Sequence, residues 1–250
     1  MLNPGPYRRQ GHGTAVLFIH GIIGTPRHFD FLLRHVPASW TIENLLLPGH
    51  GGSVGDFSRA SMKQWSAHVE TAVDALAAGH DHILIVGHSM GTLLAIESAL
   101  RRPNKVRGLF LLAVPLKVFP RPAALTNALR VIFGRVTTAE ARSTRDACGI
   151  RLTKKLWLYI GWIRPYLGLF AKIREIRRRL DGLSVPAVVL QSARDELVLS
   201  SAATLLRGHP AVDLRILPGS RHFHYAADDR AAIENAFAAF CKNTPIFMKR

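Results

Sequence analysis

Gly87-His88-Ser89-Met90-Gly91 sets a serine hydroxyl between two glycines, and its flanks give that weak pattern its meaning. Before it, His82-Ile83-Leu84-Ile85-Val86 is short, apolar and β-branched, the composition of a strand buried on both faces of a parallel sheet. After it, Thr92 to Leu100 has helical propensity and a stop at Pro103. A strand, a sharp turn and a helix in that order lift a serine Oγ above the sheet edge, where it can attack an electrophile. Gly87 and Gly91 omit side chains that would collide where the chain folds back.

A serine hydroxyl is a poor nucleophile near neutral pH and needs a histidine base held by a carboxylate. For a serine on such an elbow the chain order is serine, acid, histidine. The acid belongs just beyond a late strand, and Val188-Val189-Leu190-Gln191-Ser192-Ala193-Arg194-Asp195 meets that requirement. The loop after Val106 to Ala113 holds no carboxylate before Glu140, which favours Asp195; Glu196 is expected to point elsewhere. Read blandly, Asp195 is a solvated loop carboxylate or a helix cap. The base belongs after the last strand, where Ser220-Arg221-His222-Phe223-His224 offers His222, nearer the strand end, with His224 as runner-up. An oxyanion formed by attack needs N–H donors: one from Met90, directly after the serine, the other from Ile22 in His20-Gly21-Ile22-Ile23-Gly24. His20 and His50 are expected to brace loops, and His88 to pack behind the elbow.

The elements that must position these residues alternate along the chain, which argues for an α/β fold with a mostly parallel sheet. Strands are expected at 15–19, 42–47, 82–86, 106–113, 187–191 and 214–217. A helix should open at Thr25-Pro26, threonine capping and proline first, and run to about Val36. Met62 to Ala78 carries Trp65, Val69, Val73 and Leu76 at helical spacing, and Asp228 to Cys241 carries Ile233, Phe237 and Phe240. Between Pro115 and about Asp181 the alternation stops. That stretch is crowded with cations, among them Arg130, Arg135, Lys154, Lys155, Arg164 and Arg174, and with Trp157, Tyr159, Trp162, Tyr166 and Phe170. Inserted at that point, it should form a helical cap over the site. The expected organisation is therefore a core of 1–114 and 182–250 with a cap of 115–181.

With 250 residues the chain suits one domain. Its formal net charge of +16 favours anionic surfaces or ligands and says little about fold. Two cysteines, Cys148 and Cys241, cannot build a disulfide framework, and no spaced His/Cys set suggests a metal. Arg8-Arg9 before Ala15 to Ile19 imitates a secretion signal, but the apolar run is too short and lacks a cleavage site. The expected location is cytoplasmic, with the basic cap in peripheral contact with an anionic inner membrane face. No nucleic-acid recognition motif accompanies the charge, and oligomeric state is not legible.

His20-Gly21-Ile22-Ile23-Gly24-Thr25-Pro26, Pro48-Gly49-His50-Gly51, the Ser89 elbow and Gln191-Ser192-Ala193-Arg194-Asp195-Glu196, in that order, resemble the α/β-hydrolase superfamily over nearly the whole chain. More narrowly the chain resembles small bacterial carboxylesterases and monoacylglycerol-lipase-like serine hydrolases. The resemblance implies an α/β-hydrolase fold, a triad of Ser89, His222 and Asp195, oxyanion amides at Ile22 and Met90, and no cofactor. It implies hydrolysis of carboxylic esters, monoacylglycerol-like lipids included, through an acyl-enzyme. An acyl-CoA thioesterase and a non-catalytic ligand-binding protein on the same fold are the alternatives.

Overall fold

The structure, a computed structural model, describes residues 5–247. Its strands are β1 (Tyr7–Arg9), β2 (Thr14–Ile19), β3 (Thr41–Leu45), β4 (His82–His88), β5 (Val106–Leu112), β6 (Ala187–Ser192) and β7 (Val212–Leu217). They form one seven-stranded sheet in the order β1-β3-β2-β4-β5-β6-β7, parallel throughout except for β1 against β3. The helices are α1 (Asp30–Leu33), α2 (Val54–Arg59), α3 (Met62–Gly79), α4 (Met90–Arg101), α5 (Pro122–Ile132), α6 (Ala139–Ala147), α7 (Ile163–Arg179) and α8 (Ala227–Phe247).

Alternation along the strands divides the core in two. Leu17, Ile19, Ile85, Leu109, Leu111 and Val189 face α3, α4 and α7, whose Trp65, Val69, Leu93, Ile173 and Ile176 cover them. Val16, Phe18, Leu84, Val86, Phe110 and Leu112 face the other way, under Phe29, Leu32, Ile233, Phe237 and Phe240. The predicted stripe on α3 is the buried one: Trp65, Val69, Val73 and Leu76, with Met62.

Strand order reverses between β2 and β4. The chain leaves β2 toward β3 and returns to build β4 to β7 on the other side. Loops after β2 and β4 therefore diverge at their carboxyl ends and open the crevice where doubly wound sheets bind ligands. The Ile22 loop and the Ser89 turn are those two loops.

Several expectations need correction. The helix expected from Thr25 to about Val36 is a 3-10 turn, Pro26–Phe29, followed by the single turn of α1. Thr25 makes no side-chain cap bond, and its buried hydroxyl has no partner. Pro37 disfavours helical geometry at Val36, and α1 itself already ends at Leu33. The strand expected over 42–47 stops at Leu45, and the Leu47 N–H turns aside to His20 Nε2 at 3.1 Å. β1 carries no apolar pattern. Its Arg8 pairs with Glu43 at 3.0 Å, and its Arg9 guanidinium donates to the Trp40 carbonyl oxygen. α2 opens with a capping box in which the Ser53 hydroxyl accepts from the Asp56 N–H and the Asp56 carboxylate accepts from the Ser53 N–H.

Residues 113–186 contain no strand and are largely helical. α5 and α6 pack mainly on each other, whereas α7 packs on α3 and α4. Leu169, Ile173 and Ile176 join the sheet core from α7, and its buried Lys172 pairs with Glu97 of α4 at 3.1 Å. Most of α7 thus closes a sheet face, the segment before it packs on α2, and the part of the insertion standing apart from the core is α5 and α6. No helix among the described residues is long and apolar enough to cross a membrane.

The fold leaves no room at Gly91, where an added Cβ would overlap the carbonyl of Ile19 at the end of β2. Gly91→Ala should lower stability by several kcal/mol, on the order of the largest single-residue effects. Urea titration of the purified variant, set beside Gly79→Ala, where nothing lies within 4 Å of the new Cβ, measures it.

Candidate active site

Ser89 ends the β4 turn with φ 51° and ψ −122°, a left-handed conformation that costs a non-glycine residue on the order of 1–3 kcal/mol. The strain is held from several sides. The Ser89 N–H donates to the Leu112 carbonyl at 2.9 Å, and the Thr92 hydroxyl and N–H both donate to the Ser89 carbonyl. A Cβ on Gly87 would sit 2.8 Å from Thr92 Cα, so the returning helix requires glycine there.

Beside Ser89 lies His222, whose Nε2 is 3.1 Å from Ser89 Oγ. Its Nδ1 is 2.8 Å from Asp195 Oδ2. An ionised carboxylate only accepts, so Nδ1 carries the proton and Nε2 offers its lone pair to the hydroxyl. The other carboxylate oxygen, Asp195 Oδ1, accepts the N–H groups of Leu197 and Val198, each at 2.8 Å. The two loops are tied together: the Ser192 hydroxyl donates to the Arg221 carbonyl at 3.1 Å, and the Ala193 N–H to Leu217.

All three side chains are buried, His222 to 2% and Asp195 to 3% exposure. Burial alone would drive the His222 pKa down. The Asp195 charge and hydrogen bond, with Glu196 behind them, outweigh it and hold the imidazole above its ordinary value. Burial would likewise raise Asp195, but His222 and the two backbone donors hold it below the usual carboxylate range.

Other residues support this arrangement. The Glu196 carboxylate turns away from the ring and accepts the His222 N–H at 3.2 Å. Asp229 Oδ2 accepts the Ser220 hydroxyl at 2.6 Å and the Gly219 N–H at 2.8 Å, anchoring the histidine loop to α8. Gln191 clamps the Val114 backbone through both its amide atoms, in the loop after β5 that holds no acid. Sequence reasoning gave Asp229, Ser220 and Gln191 no such role. Only Glu196, beside the acid, carried a signal.

The remaining candidates separate. His224 points to the Ser143 hydroxyl of α6, 3.1 Å away, and has no contact with Ser89. His20 donates from Nδ1 to the Gly21 carbonyl and accepts the Leu47 N–H, which braces the loop after β2. His50 holds its own turn through the Leu47 carbonyl. His88 donates from Nε2 to the His222 carbonyl at 3.2 Å and stacks 3.9 Å from His28, a neighbour the sequence did not single out. The Ile22 N–H has no hydrogen-bond partner among the described residues, and the Met90 N–H, first in α4, has none within the helix. Gly21 brings the Ile22 loop against Ser89, since a Cβ there would lie 3.0 Å from Ser89 Cβ. Among the described residues no three His, Cys, Asp or Glu side chains converge to hold a metal ion.

An apolar cavity of about 280 Å³ is lined by Ile23, by Val131 and Ile132 of α5, and by Leu156, Tyr159 and Trp162. A larger cleft of about 670 Å³ runs past Val106, Val185 and Pro186 at the amino-terminal ends of β5 and β6. It lies at the opposite sheet edge from Ser89 and takes no part in the site.

Four histidines around the site are held neutral. Burial lowers His28 to about 3 and His50 to about 4, and burial with neighbouring imidazoles puts His20 and His88 well below the ordinary value. The unfolded chain takes up protons on all four near pH 6.5 and the folded chain does not, so stability falls as pH drops below about 6.5. His222 has the opposite sign, its contribution being lost as pH rises through its raised value. Urea titrations at about pH 7.5 and pH 5 should show a loss of several kcal/mol, at up to about 1.4 kcal/mol per pH unit for each of the four groups. His50→Gln should flatten the dependence, and a level profile in the unaltered chain would contradict neutral burial.

The sequence pattern that defines the alpha/beta hydrolase family matches residues 16–236. Pimeloyl-[acyl-carrier protein] methyl ester esterase of Neisseria meningitidis serogroup C is 41% identical over 215 residues, covering 78% of this chain and 80% of that protein. The enzyme of the same name from serogroup A is 41% identical over 203 residues, 73% of this chain, which span 62% of its length. A solved structure from work on LipS and LipT, two metagenome-derived lipolytic enzymes, superposes with a TM-score of 0.75 at 20% identity, covering 96% of this chain and 98% of that one. The chain belongs to the alpha/beta hydrolase family, and relatives 41% identical to it are named as methyl ester esterases.

Proposed function

We propose that the chain hydrolyses carboxylic acyl esters, with Ser89 as nucleophile, His222 as general base and acid, and Asp195 as the carboxylate that orients it. The observation carrying this reading is the unbroken row from Ser89 Oγ to His222 Nε2 at 3.1 Å and from His222 Nδ1 to Asp195 Oδ2 at 2.8 Å. His222 takes the hydroxyl proton as Oγ attacks the acyl carbonyl carbon. The N–H groups of Ile22 and Met90 receive the developing oxyanion, and His222 then protonates the departing alcohol. Water, deprotonated by the same imidazole, attacks the acyl-enzyme and releases the acid and free Ser89. Each imidazolium formed on the way is stabilised by the buried Asp195 charge.

The apolar cavity beside Ile23 supports an acyl chain as the part of the substrate that is bound. A second reading is favoured by the 41% identity to esterases named for pimeloyl-[acyl-carrier protein] methyl ester: an acyl group presented on a carrier protein, with a small alcohol leaving.

Hydrolysis of para-nitrophenyl esters of increasing acyl length tests the reaction. Ser89→Ala should lose activity on the order of a millionfold with its melting temperature unchanged; an unimpaired variant would remove Ser89 from the mechanism. Because Asp195 holds the His222 pKa up, kcat/KM should fall as pH drops through a midpoint above the ordinary histidine value. Asp195→Asn should move that midpoint down and lower kcat roughly ten-thousandfold. Matched oxygen and sulfur esters, and a methyl ester carried on acyl carrier protein, distinguish the leaving groups. Ala128→Phe, which adds a ring at a position lining the cavity, should lower kcat/KM for long acyl chains at least tenfold relative to the acetate ester.

A further inference from the structure

The surface is least ordinary along residues 154–174. Trp157, Ile160, Ile163 and Leu167 are exposed to 64%, 68%, 58% and 61%, so large apolar side chains stand out into solvent. On α7 the exposed Ile163, Leu167 and Phe170 recur at i, i+4 and i+7 and form one stripe, while Leu169, Ile173 and Ile176 on the opposite side pack the core. The stripe runs on into the exposed Arg174 and Arg178, and the ridge begins at the exposed Lys154 and Lys155. No Asp or Glu occurs between Asp146 and Glu175. Lys154, Lys155, Arg164 and Arg174 form no ion pair with a carboxylate among the described residues. α5 repeats the pattern: Leu125, Leu129 and Phe133 are exposed at i, i+4 and i+8. Patches of this extent on a soluble surface mark an interaction site.

The geometry points to a docking face for an anionic lipid bilayer, with the apolar ridge entering at headgroup depth and the flanking cations on lipid phosphates. Three observations select a bilayer over an acidic protein. The apolar side chains protrude as a ridge rather than lining a socket. The cations stand at both ends of that ridge, where each near an anionic surface adds about 1 kcal/mol of attraction. Two of the three elements that carry exposed apolar residues, α5 and 156–162, are also walls of the apolar cavity, and Leu156 is both 48% exposed and part of its lining. An acyl chain leaving the bilayer would pass between them without crossing bulk water. The inference goes beyond the hydrolytic reading and does not need it, because adsorption is independent of turnover at Ser89.

Flotation of the full-length Ser89→Ala protein with phosphatidylcholine vesicles, with and without phosphatidylglycerol, tests it apart from activity. The protein should float with the anionic vesicles at low salt, bind the neutral ones much more weakly, and come off as salt is raised. Lys154→Gln and Lys155→Gln should each weaken partitioning about fivefold. Trp157→Ser with Ile160→Ser, both at exposed positions and checked by an unchanged melting temperature, should abolish flotation. No flotation with anionic vesicles, or undiminished flotation of the serine variant, would overturn the proposal. So would capture by an acyl carrier protein without flotation, which would assign the ridge to an acidic protein.

Discussion

No side chain can stand between the first turn of α4 and the end of β2. Gly91 lies against the carbonyls of Ile19 and His20, and a Cβ there would overlap them. From that contact follow the position of the Met90 N–H, the entry angle of α4 and the strained conformation of Ser89. Gly21 meets the turn from the other side, its approach limited by Ser89 Cβ and His88. Two loops that diverge at the strand reversal are thereby brought back within contact of each other. The strain at Ser89 persists because Leu112, Thr92, Gly87 and Gly91 each remove one way of relaxing it.

Charge is distributed around that turn with one outlet. His20, His50 and His88 are buried and His28 is half-buried beside them, none with a carboxylate partner, so desolvation keeps them neutral. His222 is as deeply buried but has Asp195 at 2.8 Å, and its imidazole alone in this cluster is favoured in the charged form. A proton entering the cluster is therefore directed to one ring. The tilted pair His88 and His28 takes none, with His88 holding the His222 carbonyl through Nε2 and His28 meeting the Tyr225 hydroxyl at 3.1 Å. The Asp195 charge is in turn fixed by backbone N–H groups of Leu197 and Val198, which cannot move without reshaping the loop.

The sheet, the elbow and the row from Ser89 to Asp195 were legible in the sequence because their signals are local. Strand composition, paired glycines, and an acid or histidine just past a strand each lie within about ten residues. What escaped was set by distant partners or by weak patterns. β1 exists because Glu43 and the Trp40 carbonyl receive Arg8 and Arg9, which no periodicity announces. Asp229 reaches the histidine loop from ten positions along the chain, and Gln191 reaches Val114 across 77. The capping box Ser53 to Asp56 was present as a readable pattern opening α2. At Thr25 the sequence has the residues of a cap, but its hydroxyl makes no bond to the 3-10 turn that follows.

The insertion is fastened unevenly, and its fastening falls beside the site. Gly149 donates its N–H to the Ile23 carbonyl at 2.7 Å and accepts the Gly51 N–H at 2.6 Å, and the Arg151 N–H reaches Gly52 at 2.8 Å. A Cβ at Gly149 would overlap the Gly24 carbonyl, so the insertion touches the loop after β2 backbone to backbone. Downstream, Gly161 sits against Ser58, and Trp162 packs on Phe57 at 4.8 Å while donating to the Val54 carbonyl. α5 and α6 are anchored at their ends: the Arg121 N–H, at the start of α5, donates to the Glu196 carbonyl at 2.9 Å, and the Phe119 N–H to Leu197 at 3.0 Å. Their ties to the histidine loop are Ser143 to His224 at 3.1 Å and the looser Glu140 to Arg221 pair at 3.7 Å. The wall of the apolar cavity formed by 152–162 is therefore fastened to the loop after β2 and to α2, and α5 is fastened at its amino-terminal end. Moving the wall at 152–162 would pull the Ile22 loop away from Ser89, whereas the carboxyl-terminal half of α5, which lines the cavity through Val131 and Ile132, has no backbone tie to that loop.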